Sequence, residues 1–149
     1  MTGPSLRQKD SHSLIHRAIV SEIEEATVIV EKLIGSEQIE GLKLLLEIWK
    51  EKVVRHADEE ERGLFPEILT ANPSMSEKLE KLSSQHEQLR SLLKNAESIV
   101  LKLTLEPKDS SFSYRLTQYI NEGLDVNKKM ISILKQHFED EENTLWEYQ

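Results

Sequence analysis

The chain has 149 residues, one domain's worth of protein, which is long enough to bury roughly 70% of the surface that its unfolded form exposes. It contains no cysteine, which excludes disulfides, thiolate metal sites, iron–sulfur clusters and cysteine nucleophiles and leaves nitrogen and oxygen as donors for any metal. The net charge of -8, with 27 acidic residues against 19 scattered basic ones, argues against a nucleic-acid partner, because such binding rests on clustered Lys and Arg.

The opening stretch MTGPSLRQKD has no apolar segment, and no later stretch reaches the roughly 18 consecutive apolar residues that a membrane span requires. The expected location is therefore the cytoplasm, with residues 1–10 as a flexible N-terminus of a single domain spanning residues 1–149. Five glycines and four prolines, in a chain rich in Leu, Ile, Glu and Lys, suit long helices better than sheets.

Periodicity marks four helices. The first is expected over about Ser11–Ile34, with His16, Ile19, Val20, Ile23, Thr27, Val30 and Ile34 on one face and Gly35 as the stop. Ser36 is placed to N-cap the second, whose stripe is Leu42, Leu45, Trp49, Val53, His56 and Glu60. Pro66 has no N–H to donate to residue 62, so a bend or break is expected near Gly63-Leu64-Phe65-Pro66. After Asn72-Pro73, Ser74 and Glu77 have the spacing of a capping box. The third helix then carries Leu79, Leu82, His86, Leu89, Leu93 and Val100 to about Leu103, and Pro107 breaks the chain in a polar loop. A fourth helix from about Ser111 presents Leu116, Ile120, Leu124, Asn127, Met130, Leu134, His137 and Glu141. Short loops between long helices make neighbours antiparallel, so the expected fold is all-α, an up-down-up-down four-helix bundle.

Each helix places a histidine in its apolar stripe. A single histidine on such a face is more often a hydrogen-bonded core residue than a ligand, but these four share a level. His16 and His56 have their midpoint at residue 36, the first turn, and the antiparallel return of the third and fourth helices brings His86 and His137 to the same end. Four imidazoles at one level of a core cost several kcal/mol, on the order of a buried unpaired polar group each, unless a cation collects them. His56 with Glu60, and His137 with Glu141, each set a nitrogen and an oxygen donor one turn apart on one face. The stretches HADEEERGLF and HFEDEENTLW also match at His, Glu, Glu, Leu and an aromatic residue, a partial internal repeat that ends in Phe65 and Trp146. Asp58, Glu59, Glu61, Glu139, Asp140 and Glu142 are read as a solvated face.

These elements resemble the hemerythrin-like, or HHE cation-binding, family over essentially the whole chain: His16 in HRAI, the run His56, Glu60, Glu61, Leu64, Phe65, Pro66, His86 in QHEQLR, and His137, Glu141, Glu142. The resemblance implies a four-helix bundle with a metal centre near one end of its core. It further implies two irons, oxo- or hydroxo-bridged when oxidised, with Glu60 and Glu141 bridging and His16, His56, His86 and His137 completing their shells. Oxygen-carrying members have a second helix-three histidine where this chain has Arg90, so six residues serve two metals that each prefer about six donors. Arg90 cannot ligate; it either turns outward or pairs with an acid beside the site. His12, one turn before His16, is placed to add a donor or else to be an exposed histidine at a fraying end.

The expected function is a non-haem di-iron protein that binds or reacts with oxygen, nitric oxide or peroxide in sensing, carriage or protection. An alternative is an iron-responsive regulatory or iron-handling module acting through a protein partner, and a third is a metal-free interaction domain. Zinc and manganese also accept His and Glu.

Overall fold

The computed structural model describes residues 9–145, and every regular element among them is helical. Helix α1 is Lys9–Lys32. Helix α2 is a continuous helical rod over residues 36–71, helix α3 is Ser76–Leu105 after a 3₁₀ turn at Pro73–Met75, and helix α4 is Phe112–Leu145. Contacts join α1 to α2, α2 to α3, α3 to α4, and α4 back to α1, which closes the four antiparallel helices into the expected bundle. Of the flexible start expected over residues 1–10, residues 1–8 lie outside the described ones, and Lys9 and Asp10 open α1. No described helix is long and apolar enough to cross a membrane.

The stop signals act locally, with some differences from expectation. Helix α1 ends at Lys32, before Ile34, because Gly35 takes φ of 62°, the left-handed region that suits glycine. Ile34 therefore leaves the stripe and is 80% exposed. Gly35, rather than Ser36, is the N-cap residue of α2. The capping box also fails to form, because the 3₁₀ turn carries the chain into α3 and Ser74 Oγ donates to Asn72 Oδ1 at 2.6 Å. Asn72 and Glu106 are both extended, with ψ of 85° and 138°, as residues before proline are when Pro Cδ disfavours the α region.

Pro66 neither breaks nor ends α2. Two π-helical stretches, Trp49–Val54 and Glu60–Leu64, interrupt its α-helical ladder. In them the Arg55 N–H donates to the Lys50 carbonyl and the Phe65 N–H to the Glu60 carbonyl, five residues back in each case. Because Pro66 follows the second wide turn, the disturbance that it imposes is absorbed as an extra residue per turn. These wide turns bracket the α-helical segment Arg55–Glu59, which carries His56, and Glu60 opens the second of them.

Apart from Ile34 and the half-buried Val20, every stripe residue named above is buried. The main apolar core runs from Ile39, Leu103 and Leu116 to Val53, Leu89, Leu134 and Phe138. A second, smaller cluster of Leu64, Phe65, Ile68, Met75, Leu79, Leu82 and Leu145 closes the opposite end. Between the two clusters lies the level of the histidines, so hydrocarbon shields it from both directions.

One polar chain crosses the main core. Trp49 Nε1 donates to Asn127 Oδ1 at 2.7 Å, Asn127 Nδ2 donates to Thr27 Oγ1 at 2.9 Å, and Thr27 Oγ1 donates to the Ile23 carbonyl at 2.7 Å. The side chains of Trp49, Asn127 and Thr27 are thus paired across three helices, and Thr27 donates its own proton back to the Ile23 carbonyl on its own helix. Asn127→Ala strands the Trp49 N–H, so we expect a loss of about 1–3 kcal/mol in a urea titration. Unchanged stability would show that the network fixes nothing.

Candidate metal centre

Helical spacing on four elements builds the site. His12 and His16 stand one turn apart on α1, His56 and Glu60 one turn apart on α2, and His137 and Glu141 one turn apart on α4, while α3 supplies His86. All seven side chains are buried. The structure brings together all six residues expected from sequence, and it adds His12, which is not exposed at a fraying end but fully buried in the first turn of α1.

Their donor atoms form two groups that share both carboxylates. One comprises His12, His16, His56, Glu60 and Glu141; the other comprises Glu60, His86, His137 and Glu141. Within each group the donor atoms lie within 4.8 Å of one another. Glu60 turns Oε2 toward His12 Nε2 at 3.3 Å and His56 Nε2 at 3.4 Å, and Oε1 toward His86 Nε2 at 3.2 Å. Glu141 turns Oε1 toward His12 Nε2 at 2.5 Å and His16 Nε2 at 3.3 Å, and Oε2 toward His137 Nε2 at 2.9 Å. Each carboxylate therefore divides its two oxygens between the two sets of imidazoles.

The electrostatics of this arrangement suit cations. Burial opposes charge on both carboxyls and Glu141 opposes it further on Glu60, yet His56 and His12 hold Glu60 below the ordinary glutamate range; on Glu141 the contact with Glu60, then His12, His137 and His16, outweighs burial and holds it well below that range. Burial likewise opposes protonation of His12, but Glu141 and Glu60 raise it from 6.5 to about 10. Burial dominates at His16 and lowers it. None of the four carboxylate oxygens accepts a well-aligned hydrogen bond, and neither ring nitrogen of His16 has such a partner. Buried acceptors left this way are costly in a protein alone and are what a cation with nitrogen and oxygen ligands requires. The residues present thus fit a pair of metal ions.

Outside these seven, polar partners on the rear of the rings set their orientation. His137 Nδ1 lies 2.7 Å from Gln85 Oε1, and Gln85 Nε2 donates to Asp140 Oδ2 at 2.8 Å, which leaves His137 Nε2 directed at the carboxylates. His86 Nδ1 faces Glu61 Oε2 at 3.4 Å. Arg90 takes the second of its two expected courses, pairing with Glu61, with Asp58 at 2.6 Å and with Glu87. Asp58, Glu61 and Asp140, read from sequence as a solvated face, are instead partly buried and brace the site. His16 stacks on Phe138 with ring centroids 3.7 Å apart, and Phe65 lies parallel to His86 at 5.7 Å. Trp146, the other aromatic of the repeat, lies outside the described residues.

The family model of the hemerythrin HHE cation-binding domain matches residues 13–148. The chain belongs to this family. Its two His/Glu groups are consistent with the di-iron site of a hemerythrin-like helical module. No curated protein and no solved structure matches the chain. His12 lies one position ahead of the matched segment, and neither its flanking residues nor its spacing alone distinguished it from a surface histidine. A His-x3-His step at the start of an amphipathic helix was its one sequence signal.

Proposed function

We propose that this hemerythrin-like chain holds two irons and binds or reacts with a small diatomic molecule or peroxide, oxygen and nitric oxide foremost. One ion would be held by His12, His16 and His56 and the other by His86 and His137, with Glu60 and Glu141 available to both. The observation that supports this reading is the division of each carboxylate's oxygens between the two imidazole sets. Iron in such a site supplies electrons to a small ligand. The protein's own contribution is to fix the donors, through Gln85 and Glu61 behind the rings, and to exclude bulk water through the apolar clusters on either side. The same reading places the domain, residues 1–149, in the cytoplasm, with a small molecule rather than nucleic acid as its partner.

Anaerobic titration of the metal-free protein with ferrous iron tests the proposal, followed by stopped-flow mixing with oxygen or nitric oxide. Saturation at about two ions per chain is expected from the two donor groups, and a rapid stoichiometric reaction from donor sets that fall short of six. Saturation at one ion, or ferrous protein inert to both gases, would sink it.

A further inference from the structure

A cleft of about 460 Å³ opens between α1 and α4 beside the metal centre, and the stacked, buried rings of His16 and Phe138 form part of its wall. Glu24, Glu25, Glu139 and Glu142 line it against two cations, Arg17 and Lys135, and Lys135 is already paired with Glu24 at 3.3 Å. The cleft is therefore acidic on balance, which draws cations toward it. We propose, resting on the metal-binding reading above, that this cleft is the route by which a divalent cation enters the centre, with Glu142 and His16 Nδ1 as a transient holding site at its inner end.

His16 faces both ways. Its Nε2 lies 3.3 Å from Glu141 Oε1 inside the centre, while its Nδ1 lies 4.0 Å from Glu142 Oε1. The residue is only 2% exposed and neither of its nitrogens makes a hydrogen bond, so a buried donor atom without such a partner stands at the cleft wall. Imidazole and carboxylate are ligands that divalent iron, cobalt and zinc accept, at about 2.0–2.2 Å from a metal such as zinc, so the gap between Nδ1 and Glu142 has room for one ion. An ion held there is one imidazole ring away from Glu141.

The internal repeat supplies the contrast. Glu61 and Glu142 hold the same place in HADEEERGLF and HFEDEENTLW, and each turns to the Nδ1 of a histidine on another helix, Glu61 to His86 at 3.4 Å and Glu142 to His16. Arg90, one turn after His86, pins Glu61 in place. One turn after His16 stands Val20, which lines the cleft without charge, and no lysine or arginine among the described residues pairs with Glu142. The same carboxylate is a fixed brace on one side of the bundle and an open ligand on the other. A second cleft, between α1 and α2, also reaches a histidine of the centre, His56, but it is smaller at about 340 Å³. There Arg55, paired with Glu59 at 3.5 Å, opposes an entering cation.

Stopped-flow uptake of cobalt(II) by the metal-free protein, read from the absorption of the bound ion, tests this together with cobalt release to excess chelator; neither depends on any reaction of the centre. Glu142→Gln keeps the side-chain shape and removes its charge. Uptake should slow at least about tenfold, within the range that charge contributes to association rates. Release should slow alongside it, because a ligand on the path lowers the barrier in both directions. The affinity should therefore change by less than about fivefold, as suits one part-exposed charge. Ser21→Trp places an indole in the cleft from the exposed face of α1 and should slow both rates as well. Glu59→Gln, in the α1–α2 cleft, is the control and should load as the parent does.

Parental rates in Glu142→Gln overturn the holding site, and parental rates in Ser21→Trp overturn the route. A loss of affinity with uptake unchanged makes Glu142 a brace for His16, as Glu61 is for His86, and overturns the holding site too. Slowing confined to Glu59→Gln moves the entrance to the other cleft. Should Ser21→Trp lose its helical circular dichroism, Glu142→Gln decides alone. A parent that takes up no cobalt fails the metal-binding reading instead, which its equilibrium cobalt content reports before any rate is measured.

Discussion

Glu141→Ala yields a chain that holds neither iron firmly, whereas His137→Ala retains about one, because a bridging carboxylate serves two ions and an imidazole serves one. The geometry behind this asymmetry is the split of Glu141, with Oε1 near His12 and His16 and Oε2 near His137. Its removal strips a donor from each ion and leaves Glu60 as the sole remaining negative group between them. Loss of outer partners of a ligand typically costs about 10- to 100-fold in metal affinity, so loss of a shared ligand should cost at least that for both ions. Helical circular dichroism should persist, since the two apolar clusters lie to either side of the site. Glu139→Ala, on the exposed face one residue pair away, serves as the control. Equal iron content in Glu141→Ala and His137→Ala would show that Glu141 does not bridge.

Metal loading should raise the thermal midpoint by roughly 8–16 °C at a thousandfold excess over the dissociation constant, from about 4 kcal/mol of linkage and about 2–4 °C per kcal/mol. The metal-free protein should also depend on pH in a way that the loaded protein does not. His12 is raised to about 10 from 6.5 in the metal-free fold. A raised histidine adds stability that is fully present below 6.5 and is lost as pH climbs through 10, so the metal-free midpoint should fall across that interval. Glu60 and Glu141 are shifted down, so their contribution is present above the unfolded value of 4.5 and is lost as pH falls further. A bound cation replaces the His12 proton, and the alkaline loss should disappear. Uptake at neutral pH should accordingly release protons from His12 and from His56, which is raised as well, measurable by calorimetry in buffers of different ionisation enthalpy. An alkaline slope identical with and without metal would contradict the placement of His12 between the two carboxylates.

Much of the bundle was legible from periodicity because burial in a helical protein follows the 3.6-residue repeat. Trp49, His56, Glu60, His86, Asn127, His137 and Glu141 are all buried where their stripes placed them. Local rules were less secure where two of them competed. Ser36 and Ser74 both had N-cap chemistry, but Gly35's left-handed turn and the 3₁₀ turn after Asn72 set the helix starts instead. Pro66 announced a disturbance, but a local rule could not distinguish a break from a π turn, since the choice depends on whether the next segment has a core to pack against. Phe65 and Ile68 do, in the cluster with Met75, Leu79 and Leu145.

Spacing along each helix was enough to mark the four helices and six of the seven converging side chains, and the antiparallel return that short loops impose was enough to set the end of the bundle at which the histidines meet. Only the tertiary structure decided the roles of His12, Arg90, Gln85 and the acids beside them. Whether His12 is a surface residue or a buried one depends on the neighbours that α2 and α4 bring to it, Glu60 and Glu141. Whether Asp58 and Glu61 are solvated depends on Arg90 reaching across from another helix. Periodicity orients a side chain about its own helix axis; the partner that it meets, and hence the division of donors into five and four, is a property of the packing between helices.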